Sequence, residues 1–409
     1  MKNRAKLIMV VIVVIYSLIS IISYIVLPYF MPFRSPMDID YVSKGKYAGY
    51  YLVSDISGPA RIIDSSGNIK WQSNLNGDFI HDCDMLPNGN ILIADITYDR
   101  VIEVDIDNSS SIVWSWDARN PLDINWTSFA YEQGWDEIDY TPEFSIFGMY
   151  WTHLNDIDFI NGSQFGRNYN SILISLRNFD LVLEVNYSET KEVIWWYGEP
   201  GNFSLLNHQH NPDRYENGNT VICDSGNERI IEINTTTKEV VWELKNLAPH
   251  GKFRWVRDCD DIGDNKRLIT DSGNNRLLVY DMNSMSIVRE IRSPFFSNPY
   301  EADLLEDGRL IVSGLMSCSI LIMDFNSGNI YGMIGFPNQF VLPISLIIGV
   351  IIYHSGQLIN AFKKSNKRNI KKILDFQVYK RIIYIICGII FLFFFTTIIA
   401  FLLVFQFFG

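Results

Sequence analysis

Histidines open several similar segments of this chain. His81, His153 and His210 stand at the start of three of these segments, and His208 comes two residues before the last of them. Arg257 takes the same place in another segment, and Tyr300 in the one after it. Since the chain has only 6 histidines, their alignment indicates a shared site. For any single histidine, the alternative is a structural role, such as capping a turn.

A cluster of histidines with an arginine suits two kinds of chemistry. Zinc sites usually combine three or four His, Cys or carboxylate ligands at close spacing. The chain has no His-x3-His or Cys-x2-Cys pair, and His208 and His210 would point to opposite faces of one strand. In an anion site, a neutral imidazole can act as a base or nucleophile, while arginine binds a tetrahedral oxyanion. The sequence favours the anion site and no metal, although Asp82, Asp156 and Asp258 keep a metal-dependent hydrolase open.

The residues above are carried by a unit that repeats every 40 to 50 residues or so, about the period of a propeller blade. Each unit reads as four strands joined by turns, with pairs such as Asn88-Gly89 and Asn217-Gly218 at hairpins. Tryptophans such as Trp114 and Trp242 close the unit. This pattern predicts an all-β, six-bladed β-propeller, in which the first residues of the innermost strands converge on a central channel. A two-sheet sandwich is the alternative, but it leaves the regular units unexplained.

Charge divides the chain into unlike parts. The whole sequence carries 34 basic and 46 acidic residues, for a net charge of −12. Residues 361–381 hold eight basic residues and one acid, whereas residues 31–360 have a net charge of about −22. This sign argues against nucleic acid as a partner, because a DNA-binding or RNA-binding protein must neutralise phosphates.

Three apolar stretches predict transmembrane helices at 7–30, 338–360 and 382–408, since about 20 apolar residues cross a bilayer. A cleaved signal peptide is the alternative for the first stretch. The positive-inside rule makes residues 1–6 a cytoplasmic tail and 361–381 a basic cytoplasmic loop. The propeller, 31–335, is then expected on the extracytoplasmic side of the cell membrane. The domain also carries six Asn-x-Ser/Thr sequons, at Asn108, Asn125, Asn161, Asn186, Asn202 and Asn234.

Three ordered motifs resemble those of the aryl-sulfate sulfotransferase family. They are Trp151-Thr-His153-Leu-Asn155, Ser175-Leu-Arg177 and Gln209-His210, and His81-Asp82 resembles a more general blade start. The resemblance covers about residues 80–330 and is closer to membrane-anchored, archaeal-type members. The bacterial enzymes have an extra N-terminal β domain, and a local disulfide between the positions of Arg177 and His210. This sequence has no cysteine pair there.

The resemblance implies a nucleotide-independent transferase that moves a sulfuryl group from an aryl sulfate to a phenol through a sulfohistidine, with no cofactor. His210 would be the nucleophile, and His153, Arg177 and His81 would hold sulfuryl oxygens or handle protons. The substrate-binding residues would be Asn155, Trp151, Arg257 and His208. The alternative is a non-catalytic extracellular propeller that binds or senses a ligand, glycan or protein partner. The two C-terminal spans would be a further surface for a partner protein.

Overall fold

The computed structural model describes Phe33 and residues 35–75, 79–135 and 151–335. All of these belong to one compact unit, Pro32–Phe336. The tail 1–6, the predicted spans 7–30, 338–360 and 382–408 and the loop 361–381 lie outside the described residues. Within the described part of the chain, no helix is both long and apolar enough to cross a bilayer.

Six four-stranded antiparallel sheets form the described domain, and each follows chain order. The first three blades consist of β1 (Pro36–Tyr41), β2 (Tyr51–Asp55), β3 (Arg61–Ile63) and β4 (Ile69–Gln72); β5 (Ile80–Met85), β6 (Ile91–Asp95), β7 (Arg100–Val104) and β8 (Ile112–Asp117); and β9 (Leu154–Ile160), β10 (Ser171–Leu176), β11 (Leu181–Asn186) and β12 (Val193–Gly198). The last three consist of β13 (His210–Arg214), β14 (Thr220–Asp224), β15 (Arg229–Ile233) and β16 (Val240–Leu244); β17 (Val256–Asp261), β18 (Lys266–Asp271), β19 (Arg276–Asp281) and β20 (Ser286–Ile291); and β21 (Pro299–Leu304), β22 (Arg309–Gly314), β23 (Ser319–Asp324) and β24 (Ile330–Gly335). The prediction of a six-bladed β-propeller is confirmed.

Apolar side chains hold neighbouring blades together. The second strand of a blade, such as β6 or β14, is buried along its whole length because blades pack on both of its faces. Blade 6 packs against blade 1 in a cluster that contains Tyr51 and Ile63 of blade 1 and Ile320 and Ile334 of blade 6. Among the described residues, blade 1 contains only the N-terminal strands β1 to β4, so side-chain contacts and not a shared sheet close the ring.

The tryptophans that close the repeats connect adjacent blades. The Trp114 indole N–H of blade 2 donates to the Ser188 carbonyl oxygen at 3.0 Å. The Trp195 indole of blade 3 donates to the Thr235 carbonyl oxygen at 2.8 Å. Both bonds cross to the next blade, so the recurrence of tryptophan at this place reflects contacts between blades as well as packing.

The innermost strands are linked by aspartates. In four cases a carboxylate oxygen accepts a hydrogen bond from a backbone N–H of the next blade. The pairs are Asp38 with Cys83 (3.2 Å), Asp82 with Ile157 (2.7 Å), Asp158 with Arg214 (3.2 Å) and Asp258 with Ala302 (3.1 Å). These bonds set the position of each innermost strand relative to its neighbour.

An insertion between blades 2 and 3 forms the helix α1 (Trp126–Gln133). Asn125 caps its N-terminus by accepting from the Ser128 N–H at 3.0 Å, and Gly134 ends it in the left-handed conformation, with φ of 72°. The Trp126 indole donates to the Ala118 carbonyl oxygen at 2.8 Å, which fastens the helix to the end of blade 2.

Burial around the channel raises the pKa values of several carboxyl groups, and neighbouring carboxylates add to the shift at some of them. Burial raises the pKa of Asp38, Asp158 and Asp258 to about 6. Burial, followed by the charges of Asp303 and Asp82, raises the pKa of Asp40 well above its ordinary value.

The carboxyl groups whose pKa lies well above the ordinary value, such as Asp40, predict that stability falls as the pH rises above about 6.5. A carboxyl whose pKa is higher in the folded chain holds a proton that the unfolded chain has lost, so raising the pH favours unfolding. Buried histidines of the site act in the opposite sense, but only below their ordinary pKa of 6.5. We expect the free energy of unfolding, measured with denaturant, to fall between pH 6.5 and about 8, and less steeply in Asp40→Asn. Exposed Glu189→Gln is the control, and an unchanged slope in Asp40→Asn would contradict the explanation.

Candidate active site

The candidate site is built on irregular starts of the innermost strands. Each of these strands has a register shift near its first residues, where a β-bulge redirects a side chain. The regular pairing of each innermost strand with the second strand of its blade fixes which residues are equivalent. One position, just before the regular pairing begins, is equivalent in blades 2 to 6. It is occupied by His81, Asn155, His210, Arg257 and Tyr300.

His153 does not share this repeat position, and that part of the sequence prediction is wrong. Strand pairing makes Asn155 the residue equivalent to His81. His153 lies two residues earlier, at the position of His208 and Trp255. All three have left-handed backbone, with φ of 49°, 51° and 56°. The β-bulge at the start of β9 lies between the position of His153 and that of Asp156. A match by residue type alone pairs His153 with His81 and does not detect the difference of two residues.

The side chains of both positions nevertheless meet. The ring of His81 lies 5.4 Å from the ring of His153 and 5.4 Å from the ring of Tyr300, between centroids. The Tyr300 ring is 6.0 Å from the His210 ring, and its hydroxyl lies 3.0 Å from His81 Nε2. The structure therefore brings together the three histidines that the sequence singled out, with Tyr300 between two of them.

Two arginines join this cluster. Arg177 follows β10 in a 3-10 turn, and its backbone N–H donates to the His153 carbonyl oxygen at 3.2 Å. Its guanidinium carbon is 5.6 Å from the centroid of Trp255, whose ring is 6.1 Å from that of His210. The guanidinium carbon of Arg257 lies 4.0 Å from the Tyr300 ring centroid. Aromatic rings therefore place both cations beside the histidines.

Neither arginine has a carboxylate partner within the described residues. Arg177 donates to the amide oxygen of Asn178 at 3.2 Å, and both guanidiniums are buried. Arg257 Nε and Nη1 and His81 Nδ1 are buried and have no hydrogen-bond partner among the described residues. A buried charge without a counter-ion and a buried donor without an acceptor both cost free energy. A tetrahedral oxyanion would supply the missing charge and acceptors.

The histidines of the site are neutral near pH 7. Burial, with the charges of Arg257 and Arg177, lowers the pKa of His81 to about 3. Burial and nearby arginines also hold the pKa values of His153 and His210 well below 6.5. Burial lowers the pKa of Arg177 to about 10, which leaves it charged at neutral pH. The site thus combines fixed cations with imidazoles that retain a lone pair.

Hydrogen bonds hold the Gln209-His210 pair from both sides. His210 Nδ1 lies 2.8 Å from Ser225 Oγ and 3.1 Å from the His208 carbonyl oxygen. The Gln209 amide donates to Ser175 Oγ at 3.1 Å, and the Asn155 amide donates to the Gln209 carbonyl oxygen at 2.9 Å. Asn155, which the sequence predicts to bind substrate, therefore holds the backbone beside His210. The side-chain oxygen of Asn155, Oδ1, is buried without a hydrogen-bond partner among the described residues.

The other two predicted substrate-binding residues lie further out. His208 is partly exposed, its Nδ1 is 2.7 Å from Asn207 Oδ1, and burial with the charge of Arg177 lowers its pKa to about 4. Trp151 packs among aromatic rings, with centroid distances of 5.2 Å to Phe179 and 6.4 Å to Trp126. This cluster connects the site to α1.

Sequence reasoning missed three residues of the site. Tyr300 shares the repeat position of two of the histidines, and the sequence pattern predicts no role for it, although its hydroxyl contacts His81. Trp255 shares its repeat position with His153, which only strand pairing reveals. Ser225 carries no sequence signal, because the same Ser-Gly-Asn triplet recurs at Ser272 without a histidine contact. Within the described residues, no three His, Cys or carboxylate side chains form a potential metal site.

Comparison with known proteins adds a family likeness. Residues 42–211 match the family model described as Arylsulfotransferase (ASST). The match contains His81, His153, Arg177 and His210, and it ends before Arg257. No curated protein sequence matches the chain.

Several solved structures are similar to the chain at low sequence identity. Virginiamycin B lyase from Staphylococcus aureus is 12% identical, with a TM-score of 0.47, covering 72% of this chain and 83% of that one. A streptogramin B lyase structure is 11% identical, with a TM-score of 0.48 and coverage of 73% and 83%. A protein of unknown function from Bacteroides caccae is 11% identical, with a TM-score of 0.45 and coverage of 68% and 89%.

Replacing Arg257 by Met should weaken anion binding without destabilising the protein. Arg257 is buried without a counter-ion among the described residues, and burying an unpaired charge costs free energy of folding. An apolar side chain of similar length removes that cost. We expect the unfolding free energy measured without sulfate to stay level or rise, by about 1 kcal/mol. We also expect the stabilisation by inorganic sulfate to need at least about tenfold more sulfate, through loss of a charged hydrogen-bond donor.

The control is Arg267→Met. Arg267 is equally buried but is paired with Glu232, so its loss should destabilise the protein and leave sulfate binding unchanged. Thermal unfolding with sodium sulfate, against sodium chloride at equal ionic strength, measures both effects. Equal sulfate responses of wild type and Arg257→Met would contradict the assigned anion site.

Proposed function

We propose that this protein is an arylsulfotransferase-like enzyme that moves a sulfuryl group from an aryl sulfate to a phenol, with His210 as the covalent carrier. The observation that carries the proposal is the neutral, oriented imidazole of His210 beside two buried guanidiniums that lack carboxylate partners among the described residues. The arylsulfotransferase match over residues 42–211 supports the same reaction class.

In the first half-reaction, the Nε2 lone pair of His210 attacks the sulfur of the ester. The bond between sulfur and the aryl oxygen breaks, and its electron pair leaves with the phenolate. His210 Nδ1 faces two oxygen atoms, of Ser225 and His208, so Nε2 is the ring nitrogen left to react. The product is a sulfuryl group bound to Nε2.

The cations stabilise charge on the transferring group. Arg177, Arg257 and the Nδ1–H of His81 would bind the non-bridging sulfuryl oxygens. These donors are already buried and oriented before substrate binds, so they need little reorganisation during the reaction. The Tyr300 hydroxyl donates to His81 Nε2 in this arrangement, which places the histidine proton on Nδ1.

In the second half-reaction, an acceptor phenol oxygen attacks sulfur and the S–N bond breaks, which returns the lone pair to Nε2. The phenol must lose its proton, and His153 would be the base that takes it. Burial, and then the charge of Arg177, holds the His153 pKa low. A bound anion would offset the charge of Arg177 and raise that pKa. Substrate binding would therefore make His153 a better base. One proton passes from acceptor to product phenol overall.

His210→Ala should abolish transfer. With p-nitrophenyl sulfate and a phenol acceptor, we expect acceptor-dependent release of nitrophenol to fall by at least about 1000-fold, because no other group forms the intermediate. Wild-type protein mixed with donor alone and quenched in base should gain the mass of one sulfuryl group, located at His210 by peptide mapping.

His250→Ala is the matched control, since His250 lies in a loop and pairs with Glu290 at 3.3 Å. It should transfer at the wild-type rate. Transfer that survives in His210→Ala would reject His210 as nucleophile. Sulfate binding without transfer to any phenol would favour the non-catalytic binding propeller, and loss of activity in chelator would favour a metal-dependent hydrolase.

We further propose that the propeller faces the extracytoplasmic side, on the basis of the acidic domain and the basic segment 361–381. An external active site suits a reaction that needs no intracellular nucleotide. The acidic domain repels anions at long range, so the arginines of the site must provide the local attraction.

Cysteine labelling in intact cells tests this orientation. Leu122 is 89% exposed, and Cys83, Cys223, Cys259 and Cys318 are buried, so Leu122→Cys should react with a membrane-impermeant maleimide. Ser365→Cys, in the basic segment, should react only after the cells are opened. The reverse pattern would reject the proposed topology.

A further inference from the structure

Ser225 and Ser272 occupy matching places in blades 4 and 5. Each begins a Ser-Gly-Asn 3-10 turn directly after the second strand of its blade, β14 or β18. Both side chains are fully buried. The same place in blade 3 is taken by Arg177, which follows β10. This position directly after the second strand is therefore equivalent in three consecutive blades.

Both serines tie their blade to the next one. The Ser225 hydroxyl donates to the Val256 carbonyl oxygen, and the Ser272 hydroxyl donates to the Pro299 carbonyl oxygen. Val256 and Pro299 are the first residues of β17 and β21, so the two bonds are structurally equivalent. Each serine therefore makes one hydrogen bond from its own blade to the next, at an equivalent place.

Ser225 differs in that it also contacts a histidine. Its Oγ lies 2.8 Å from His210 Nδ1. A serine hydroxyl has one proton, and Ser225 directs it to a carbonyl oxygen, of Val256 or of Cys223 at 3.3 Å. Ser225 Oγ can therefore only accept from His210. The His208 carbonyl oxygen, 3.1 Å from the same nitrogen, can only accept as well.

We propose that Ser225 is a positioning residue for sulfuryl transfer: its oxygen holds the proton of neutral His210 on Nδ1 and so keeps the lone pair on Nε2. The inference rests on the proposed function, because it concerns the nucleophile of that reaction. The bond also fixes the orientation of the ring about its side-chain axis. Without Ser225, the His208 carbonyl remains as a second acceptor, so part of the preference persists.

The kinetic test compares Ser225→Ala with Ser272→Ala in the full chain. Both variants lose one bond between blades, and we expect similar losses of thermal stability. Only Ser225→Ala should lower kcat for transfer from p-nitrophenyl sulfate, by about tenfold, the effect of one hydrogen bond. KM for the donor should stay within about twofold, since the groups that bind sulfuryl oxygens are untouched. Ser272→Ala should keep the wild-type kcat.

A spectroscopic test needs no activity. Magic-angle-spinning NMR of the full chain labelled with [13C,15N]histidine reports which nitrogen of each ring carries the proton. Subtracting the His210→Ala spectrum identifies the His210 signals. We expect wild type and Ser272→Ala to show His210 as the Nδ1–H form, and Ser225→Ala to show a mixture of both tautomers.

The two tests fail in different ways. If wild type shows no transfer, the proposed function fails, while the NMR comparison still decides the role of Ser225. An unchanged His210 tautomer in Ser225→Ala would overturn the inference even if transfer occurs. Equal reductions of kcat in both serine variants would show that the serines act only through blade packing, which also overturns it.

Discussion

Within the described residues no sheet contains strands of two blades, so contacts of side chains do most to hold the ring together. Apolar clusters pack the broad faces of the blades, and aspartates on the innermost strands bind backbone N–H groups of the next blade. These bonds form directly beside the bulges from which His81 and Arg257 project. The geometry of the site therefore depends on the contacts that close the ring.

The same aspartates explain how cations stay unpaired in an acidic domain. Asp258 follows Arg257 in sequence, yet its carboxylate accepts from the Ala302 N–H and the Thr270 hydroxyl. Asp82 follows His81 and accepts from the Ile157 N–H. Because Asp258 and Asp82 are already bonded to other groups, they do not pair with the guanidinium of Arg257. Its charge therefore acts on the neighbouring histidines. Burial is the main cause of the neutrality of the histidines, and the charges of the unpaired arginines add to it. The same unpaired charges favour the binding of an anion.

A buried cation without a counter-ion lowers stability, and residues of this kind concentrate where function requires them. In this protein the cost is offset by packing around the site, where the rings of Trp255 and Tyr300 cover the guanidiniums. The arrangement suits transient binding of a charged group. A permanent carboxylate partner would stabilise the fold but would compete with an anionic substrate.

The sequence by itself determined the blade period and count, and it singled out His81, His210 and Arg257, because repeating strands place equivalent residues at one end of a channel. Arg177 came only from the resemblance of Ser175-Leu-Arg177 to a family motif. It misplaced His153 by two residues, since a bulge changes register without changing residue type. Only the tertiary structure decided the contacts between distant segments. The bond from Tyr300 to His81 spans 219 residues, and the partners of Ser225 come from its own blade and the next. Such bonds depend on how the ring closes, which no local pattern encodes.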